Sequence, residues 1–268
     1  MHGVPSHTVF KVKKKIKEKN SAKLFKTKKD QLTVVEVIKK ELIGKEVLVL
    51  KSKKTYYAIT ESVYDPFEYK KLDVERPNQR GMLSIPIRLT KIMINLAKLK
   101  KGDTILDPFC GYGTILQSAL LSDINAHGSD KDEDCVESSK LNIEWLEEEY
   151  EIKAKHKIET LDVLELNKKE KYDAIVTEAY LGPPLQKSVT EEDAQKIIDE
   201  LNEFYEKALE RLSTALKKGK RLIIILPIIR TRNKTFKTDV KTDLKFIKKI
   251  ADIHPKHITG REIFIFEK

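Results

Sequence analysis

Two glycines and two carboxylates within one short stretch have the spacing of a ligand-binding site. Asp107 ends an apolar, strand-like run, and Gly111 and Gly113 follow it before an apolar helical pattern begins at Ile115. Glycines let the backbone pass close to a ligand, and the first turn of a helix offers unpaired N–H groups. Asp130 ends the next short strand, where a carboxylate can accept both hydroxyls of a ribose. The pattern therefore predicts one half of a nucleotide-type site.

Two phosphate-binding motifs do not fit this stretch. The sequence contains no G-x-x-x-x-G-K-[ST], and the pair Gly111 and Gly113 lacks the third glycine of the dinucleotide fingerprint. A bare G-x-G is also compatible with a tight turn between a strand and a helix. The residues around the two glycines make the signal more specific.

The string Asp-Pro-Phe-Cys-Gly-Tyr-Gly-Thr-Ile-Leu over residues 107–116 resembles motif I of the class I S-adenosylmethionine (SAM) methyltransferases. It is most similar to the D-P-F-C-G-[ST]-G-T form of the RNA methyltransferases that include the THUMP-associated tRNA guanosine-N2 enzymes and their Trm-eleven-like relatives. The resemblance implies an α/β, Rossmann-like fold with a mostly parallel sheet and an antiparallel last strand. It also implies S-adenosylmethionine as the cofactor.

The resemblance further implies which residues hold this cofactor. Asp162 follows the third predicted strand and matches the position that accepts the amino group of adenine, although taken alone it is more typical of a cap or turn. The residues assigned to the cofactor in this way are Asp107, Pro108, Phe109, Gly111, Gly113, Thr114, Asp130, Lys131, Asp162 and Val163.

A second stretch, residues 177–184, follows the fourth predicted strand and could handle a methyl acceptor. Methylation of an exocyclic amine is an in-line displacement, so an enzyme must hold the amine by a hydrogen-bond acceptor. The stretch reads Thr-Glu-Ala-Tyr-Leu-Gly-Pro-Pro and resembles the T-E-P-Y-L-G-P variant of Trm-eleven-like proteins, with Ala179 in place of the first proline. We predict that Glu178 holds the amine and that Tyr180 or Leu181 flanks the base. A loop without chemistry is the alternative.

The positive charge of the chain is concentrated in one block. The net charge is +10, and residues 11–54 hold 16 Lys and no Arg against 5 acidic residues. Such a block attracts a polyanion with salt-dependent, sequence-independent affinity. Together with the resemblance, it predicts RNA, and tRNA in particular, as the partner, contacted by this Lys-rich region and by the basic loop 230–237. A solvated, lysine-rich surface is the plainer interpretation.

A length of 268 residues leaves room for one main domain and a smaller unit. We predict a basic α+β appendage over residues 1–63, an extended linker over 64–83 and a methyltransferase domain over 84–268. The two cysteines lack the spacing of metal ligands, so no metal site is predicted.

No apolar run approaches the ~20 residues that cross a bilayer, and the first ten residues lack the pattern of a signal peptide. A cytoplasmic location without membrane contact is therefore the expectation.

Several elements are predicted closely enough to be compared with the structure. Ser84 is expected to cap a helix, and Thr190 a longer one. The predicted order of elements after residue 190 is a helix to residue 216, a strand over 221–226, the basic loop, a helix to about residue 249 and a strand pair over 250–254 and 261–267.

Other functions are compatible with the same residues. Exocyclic amines of DNA or rRNA bases would use the same loop, and an RNA-binding protein could keep the fold without catalysis, since Ala179 departs from the motif. The thiolate mechanism of 5-methylcytosine formation is disfavoured because the loop has no cysteine. A small-molecule substrate would leave the lysine block unexplained. The sequence favours a SAM-dependent tRNA methyltransferase, and its guanosine-N2 specificity is implied by the resemblance alone.

Overall fold

The computed structural model describes residues 32–51, 53–79, 84–185, 189–252 and 258–268. The chain divides into two compact units, and their boundary in the sequence falls between Lys71 and Leu72. The partition into 1–63, 64–83 and 84–268 stays a prediction. Half of the Lys-rich block, with ten of its 16 lysines, lies outside the described residues, so its contact with RNA stays a prediction as well.

The first unit contains a short helix and a β-hairpin. Helix α1 (Val34–Lys39) begins with a capping box, in which the Thr33 hydroxyl accepts the N–H of Glu36 and the Glu36 carboxylate accepts the N–H of Thr33. Strands β1 (Val47–Lys51) and β2 (Thr55–Ile59) pair antiparallel. This is the α+β content that the sequence predicts.

The segment predicted as an extended linker contains helical structure. Helix α2 (Pro66–Lys70) begins at Asp65, whose carboxylate accepts the N–H groups of Phe67 and Glu68. A π-helical turn follows over Lys71–Glu75. An Asp-Pro pair supplies both an N-cap and a first-turn proline, so the residues that indicate a turn also indicate the start of a helix.

An eight-stranded sheet organises the second unit, in the order β5-β4-β3-β6-β7-β10-β9 with β8 paired to β7. The strands are β3 (Thr104–Asp107), β4 (Asn125–Asp130), β5 (His156–Thr160), β6 (Tyr172–Glu178), β7 (Leu216–Arg230), β8 (Thr235–Lys237), β9 (Lys245–Asp252) and β10 (Thr259–Glu267). Strands β3 to β7 run parallel, and β10 runs antiparallel between β7 and β9. The predicted fold class, a mostly parallel sheet with an antiparallel last strand, is confirmed.

Among the described residues of this unit, four α-helices accompany the sheet: α3 (Ile87–Leu96), α4 (Thr114–Leu120), α5 (Glu133–Glu149) and α6 (Glu191–Ala215). Thr190 caps α6 as predicted, since its hydroxyl accepts the N–H of Asp193. Tyr205 and Leu212 of α6 pack into the same core as Leu106 and Ile175 of the sheet. The apolar stretch 222–229 of β7 is buried throughout, which is typical of a central strand covered on both faces.

The predicted cap of α3 is wrong. The helix begins at Ile87, and the Ser84 hydroxyl accepts a hydrogen bond from Arg76 instead. The carboxylate of Asp73 accepts the N–H of Ile87 at 3.0 Å, so a residue distant in sequence satisfies the first turn.

The predicted helix before residue 249 is also wrong. The basic segment is a hairpin of β7 and β8, and residues 245–252 form β9. The apolar positions of β9 are compatible with the period of a helix and with that of a strand. Pairing with β10 favours the strand, because Phe246 packs its ring against Phe264 and Phe266. Within the described residues, no helix is both long and apolar enough to span a bilayer.

Candidate functional site

The turn between β3 and α4 has the backbone that its glycines predict. Gly111 and Gly113 have φ angles of 49° and 80°, in the left-handed region. A Cβ on Gly113 would lie 2.5 Å from the Ser139 hydroxyl of α5, so this glycine permits close packing. A Cβ on Gly111 would meet no atom of the described structure within 4 Å. Gly111 therefore leaves open space where a ligand can approach the backbone.

Asp130, the last residue of β4, lies beside this turn. Its Oδ2 accepts the N–H of Gly111 at 2.9 Å, and its Oδ1 accepts the N–H of Asp132 at 3.1 Å. Each carboxylate oxygen has a second lone pair, and the residue is partly exposed. The backbone thus orients the carboxylate in advance, and it can accept the two hydroxyls of a ribose.

Asp107 is a buried carboxylate at the end of β3. The Thr177 hydroxyl donates to its Oδ1 at 2.6 Å, and the N–H of Phe109 donates to the same oxygen at 3.3 Å. The pKa of Asp107 is raised to about 7. Burial is the main cause, and the nearby carboxylates of Asp130 and Glu178 add to it, whereas the two hydrogen bonds act in the opposite direction. Asp107 therefore changes its charge near neutral pH, and a cationic ligand would favour the charged form.

Asp162 lies next to the end of β4, since the N–H of Leu161 donates to the carbonyl of Asp130 at 2.9 Å. Its Oδ1 accepts the N–H of Leu164 at 2.9 Å and caps a 3₁₀ turn over Val163–Glu165. The cap occupies this one carboxylate oxygen. The position thus agrees with the capping role and leaves the adenine contact a prediction.

The remaining cofactor residues have different surroundings. Pro108 and Val163 are buried, the Phe109 ring packs edge-on against Phe204 of α6, and Lys131 is exposed. Their contact with the cofactor stays a prediction.

A buried arginine that the sequence did not single out ties this turn to the segment before α3. Arg76 is 3 % exposed, and its Nη1 donates to the Thr114 hydroxyl at 2.7 Å. Its Nη2 donates to the Ser84 hydroxyl at 3.2 Å. Burial lowers the pKa of Arg76, and Asp73 opposes this effect. Thr114, which belongs to the predicted cofactor motif, therefore also binds the buried arginine.

Glu178, the last residue of β6, binds an arginine from β10. Arg261 Nε donates to Glu178 Oε1 at 2.5 Å, and the two side chains are 21 % and 14 % exposed. Burial raises the pKa of Glu178, the guanidinium of Arg261 opposes this, and the carboxylate of Asp252 adds to the rise. Sequence reasoning missed Arg261, which lies 83 residues from its partner. Only the placement of β10 beside β7 brings the two together.

Tyr180 follows in a loop whose backbone is fixed. The hydroxyl of Tyr205 on α6 donates to the carbonyl of Tyr180, and the N–H of buried Ala179 donates to the carbonyl of Ile225 at 3.2 Å. The Tyr180 side chain remains 57 % exposed. A fixed loop with an exposed ring can offer a stacking surface to a planar group.

The structure brings the two predicted halves of the site to one edge of the sheet. Parallel strands β3, β4 and β6 end at Asp107, Asp130 and Glu178, and ligands of open α/β sheets bind at this carboxyl edge. The open backbone at Gly111, the oriented carboxylate of Asp130 and the buried carboxylate of Asp107 match a ligand with a ribose and a positive charge. These residues therefore fit S-adenosylmethionine.

The basic segment 230–237 lies at the same edge, because it begins at the carboxyl end of β7. Arg232, Lys234 and Lys237 are exposed, and Lys234 Nζ lies 4.6 Å from the ring centroid of Phe236. These cations are available to a polyanion near the site.

Two family models match the sequence. The model UPF0020, described as an RMKL-like methyltransferase domain, matches residues 78–249, more than half of the chain. A DNA methylase model matches residues 6–141, a region that ends before β5 and does not contain Glu178.

Curated relatives share part of the sequence. The tRNA (guanine(10)-N2)-dimethyltransferase of Methanocaldococcus jannaschii is 30% identical over 195 residues, which are 70% of this chain and 50% of the relative. The enzyme of the same name from Methanothermobacter thermautotrophicus is 36% identical over 128 residues, 47% of this chain and 36% of the relative. The chain thus spans between about a third and a half of the length of these relatives.

A solved structure supports the fold. TrmN from Thermus thermophilus superposes with a TM-score of 0.53 and 17% identity, covering 83% of this chain and 59% of that one. Domains of class I methyltransferases use S-adenosylmethionine, so the predicted cofactor is confirmed. From the match over residues 78–249 and the geometry of its sheet edge, the chain belongs to the RMKL-like methyltransferase family, UPF0020.

Proposed function

We propose that this chain transfers a methyl group to the exocyclic N2 of guanosine in tRNA. One observation carries the proposal: Asp130 and Glu178, to which we assign the ribose and the amine, end strands of the same parallel sheet at one edge. The names of the two curated relatives supply the substrate, and their matched regions cover only part of each protein.

Gly111, Asp107 and Asp130 would hold S-adenosylmethionine, which supplies an electrophilic methyl group. Glu178 accepts a hydrogen bond from the amine and thereby directs the nitrogen lone pair toward that methyl. The same carboxylate takes the proton that the amine loses when the nitrogen–carbon bond forms and the sulfur–carbon bond of the donor breaks, which leaves the neutral thioether S-adenosylhomocysteine. Tyr180 stacks on the base, which must leave its helix to reach this loop.

RNA would be held by sequence-independent contacts. The exposed cations of the hairpin, Arg232, Lys234 and Lys237, would bind phosphates beside the site, and the Lys-rich residues 11–54 would add to this attraction. A cytoplasmic location belongs to this proposal as an expectation.

The replacement of proline by Ala179 favours an active loop over a degenerate one. The N–H of Ala179 donates to the carbonyl of Ile225, a hydrogen bond that proline cannot make. A backbone hydrogen bond therefore fixes the loop in place of the rigid proline ring. This weakens the case for an RNA-binding protein without catalysis.

The DNA methylase model favours a second candidate, an exocyclic-amine methyltransferase of DNA. Its matched region contains motif I and Asp130 but not the loop after β6, so it supports the cofactor half of the site only.

The test is transfer of labelled methyl from S-adenosylmethionine to an unmodified tRNA transcript in competition with duplex DNA. A mock preparation without this chain is the control. Nucleosides from the digested product are separated and identified by mass spectrometry. We expect label in N2-methylguanosine of the transcript. Label in the DNA, or binding of the transcript without any transfer, would refute the proposal.

A further inference from the structure

We propose that Glu178 and Arg261 act as one unit that recognises the Watson–Crick edge of guanine, with Arg261 selecting the base whose amine Glu178 holds. The inference rests on the proposed function and deepens it, because it assigns the choice of base to a residue outside the methyltransferase motifs.

The pair presents a defined row of hydrogen-bonding groups. Arg261 binds Glu178 Oε1 through Nε at 2.5 Å, which leaves the two Nη groups of the guanidinium beyond that bond. The carboxylate has two oxygens with two lone pairs each, so one bond from Nε does not saturate it. Both side chains keep part of their surface exposed, at 14 % for Glu178 and 21 % for Arg261. A ligand therefore meets two acceptors next to a cationic donor.

Guanine carries the complementary row. Along its Watson–Crick edge lie the acceptor O6, the donor N1–H and the donor amine N2. A carboxylate can accept from both donors at once, and a neighbouring guanidinium can donate to O6. In this arrangement the N2 amine lies at the carboxylate, where the proposed reaction needs it.

Adenine and cytosine do not fit the same row. In both, the exocyclic amine is adjacent to a ring nitrogen that accepts hydrogen bonds. The second carboxylate oxygen would then face a lone pair, and such unpaired polar contacts are costly in a partly buried site. The pair therefore discriminates among amines that are otherwise similar nucleophiles.

The charges around Glu178 come from four elements. Arg261 lies on β10, Asp252 on β9, Asp107 on β3 and the Tyr205 hydroxyl on α6. Burial raises the pKa of Glu178, and among these groups Arg261 opposes the rise. Loss of Arg261 would therefore raise the pKa of Glu178 further. The acid limb of the pH profile of methyl transfer would then shift to higher pH.

The test compares guanosine with 2-aminopurine at the methylated position of the transcript, once that position has been mapped. 2-Aminopurine keeps the amine but lacks O6 and N1–H. For the native chain we expect kcat/KM to be about 100-fold lower on 2-aminopurine. In Arg261→Gln the activity on guanosine falls and this ratio shrinks at least 10-fold, because the longer, cationic donor to O6 is replaced by a shorter, neutral amide. Arg261→Lys keeps the positive charge but not the planar set of guanidinium donors, so its ratio of kcat/KM on guanosine to that on 2-aminopurine is intermediate.

Arg221→Gln is the matched control. Arg221 pairs with Glu267 at 3.7 Å across β7 and β10, at the opposite edge of the sheet. It should leave both the guanosine to 2-aminopurine ratio and the acid limb unchanged. Calorimetric binding of S-adenosylmethionine shows that each variant is folded, and Arg261→Lys carries the test if Arg261→Gln does not fold.

The outcomes separate the two proposals. Methylation of guanosine N2 with an unchanged ratio and an unshifted acid limb in both Arg261 variants would overturn the inference and leave the proposed function intact. Absence of label from guanosine N2 in the native chain would overturn the proposed function and this inference with it.

Discussion

Asp130 and Glu178 end strands of the same sheet, but their carboxylates are held in different ways. Backbone N–H groups of Gly111 and Asp132 orient Asp130, and both lie within the segment that runs from the end of β3 to the start of α5. A side chain from a distant strand, that of Arg261, orients Glu178. The carboxylate that we assign to the cofactor is thus held by backbone groups, and the one that we assign to the acceptor by a tertiary side-chain contact.

The difference has a functional consequence. A backbone-held carboxylate keeps its position when side chains change, which suits a group that binds the same cofactor in every reaction. A carboxylate held by a side chain can be retuned by one substitution. We therefore expect changes in the acceptor half to alter kcat and base choice, and changes in the cofactor half to alter affinity for S-adenosylmethionine.

The largest effect is expected for Glu178→Gln. The amide keeps an acceptor oxygen but loses the charge and cannot take the amine proton. Single-turnover methyl transfer should slow by about 10²- to 10³-fold, the usual loss when one electrostatic contact to a transition state is removed. The dissociation constant of S-adenosylmethionine, measured by calorimetry, should change less than about threefold, well under the ~1.4 kcal/mol that a tenfold change requires.

Glu262→Gln is the control for this variant, because Glu262 pairs with Lys249 at 3.1 Å and also lies on β10. It should retain transfer. A large loss of cofactor affinity in Glu178→Gln would contradict the separation of a cofactor half from an acceptor half.

Asp130→Ala should show the opposite pattern. Two hydrogen bonds from ribose hydroxyls to a charged acceptor would be lost, each about 1.5 kcal/mol or more, so the affinity for S-adenosylmethionine should fall by about 100-fold or more. At saturating cofactor the transfer rate should recover to within a few-fold of the native rate. Asp132→Ala is the control, since the Asp132 side chain caps α5 and its backbone N–H, which bonds Asp130, is kept in the variant. A transfer rate that stays low at saturation would mean that Asp130 also positions the reacting groups.

The same division explains what could be predicted from the sequence. Motif I, Asp130 and the strands that they end follow from glycines, carboxylates and apolar runs that are close in sequence. Glu178 was also within reach, because it ends an apolar strand. Arg261 was not, because its role depends on β10 lying antiparallel beside β7. No local pattern sets that pairing.

The wrong helix before residue 249 has the same origin. Its apolar positions suit a helix or a strand, and the partner strand β10 determines which one forms. Arg76 is a further example, since its partners Ser84 and Thr114 are known only from the packed structure.

A third prediction concerns pH and the boundary between the two halves. Asp107 has a pKa of about 7 in the folded protein, so it is mostly protonated below pH 7. A cationic cofactor binds better to its ionised form. The affinity for S-adenosylmethionine should therefore rise as pH increases to about 7 and then level off, with roughly a tenfold loss one unit below the pKa. Calorimetry in buffers of different ionisation enthalpy would detect the proton released on binding.

Asp107→Asn should remove this pH dependence. The folded-state pKa lies above that of the unfolded chain, so burial of the ionised group costs nothing at low pH and costs increasingly more as pH rises from about 4 to 7. The native chain without cofactor should lose stability over this range, and the variant should not. Affinity that is independent of pH in the native chain would place the cofactor charge away from Asp107.

The smallest effect is expected for Tyr205→Phe. The Tyr205 hydroxyl donates to the carbonyl of Tyr180 and so anchors the acceptor loop to α6. Its removal should cost about 1 kcal/mol of unfolding free energy, measured by urea denaturation, because a buried hydrogen bond is lost. Since the loop carries Tyr180, kcat/KM for RNA should fall a few-fold while cofactor affinity stays unchanged.

Tyr172→Phe provides the matched comparison. The Tyr172 hydroxyl bonds His127 in the interior of the second unit, at the beginning of β6 and thus at the end of that strand away from Glu178. A similar loss of stability is expected there, without any loss of transfer. Removal of either hydroxyl should therefore lower the stability, whereas only removal of the Tyr205 hydroxyl should slow methyl transfer. If both variants keep full activity, the loop does not need its anchor on α6, and the side-chain pair of Glu178 and Arg261 alone would set the geometry of the acceptor half.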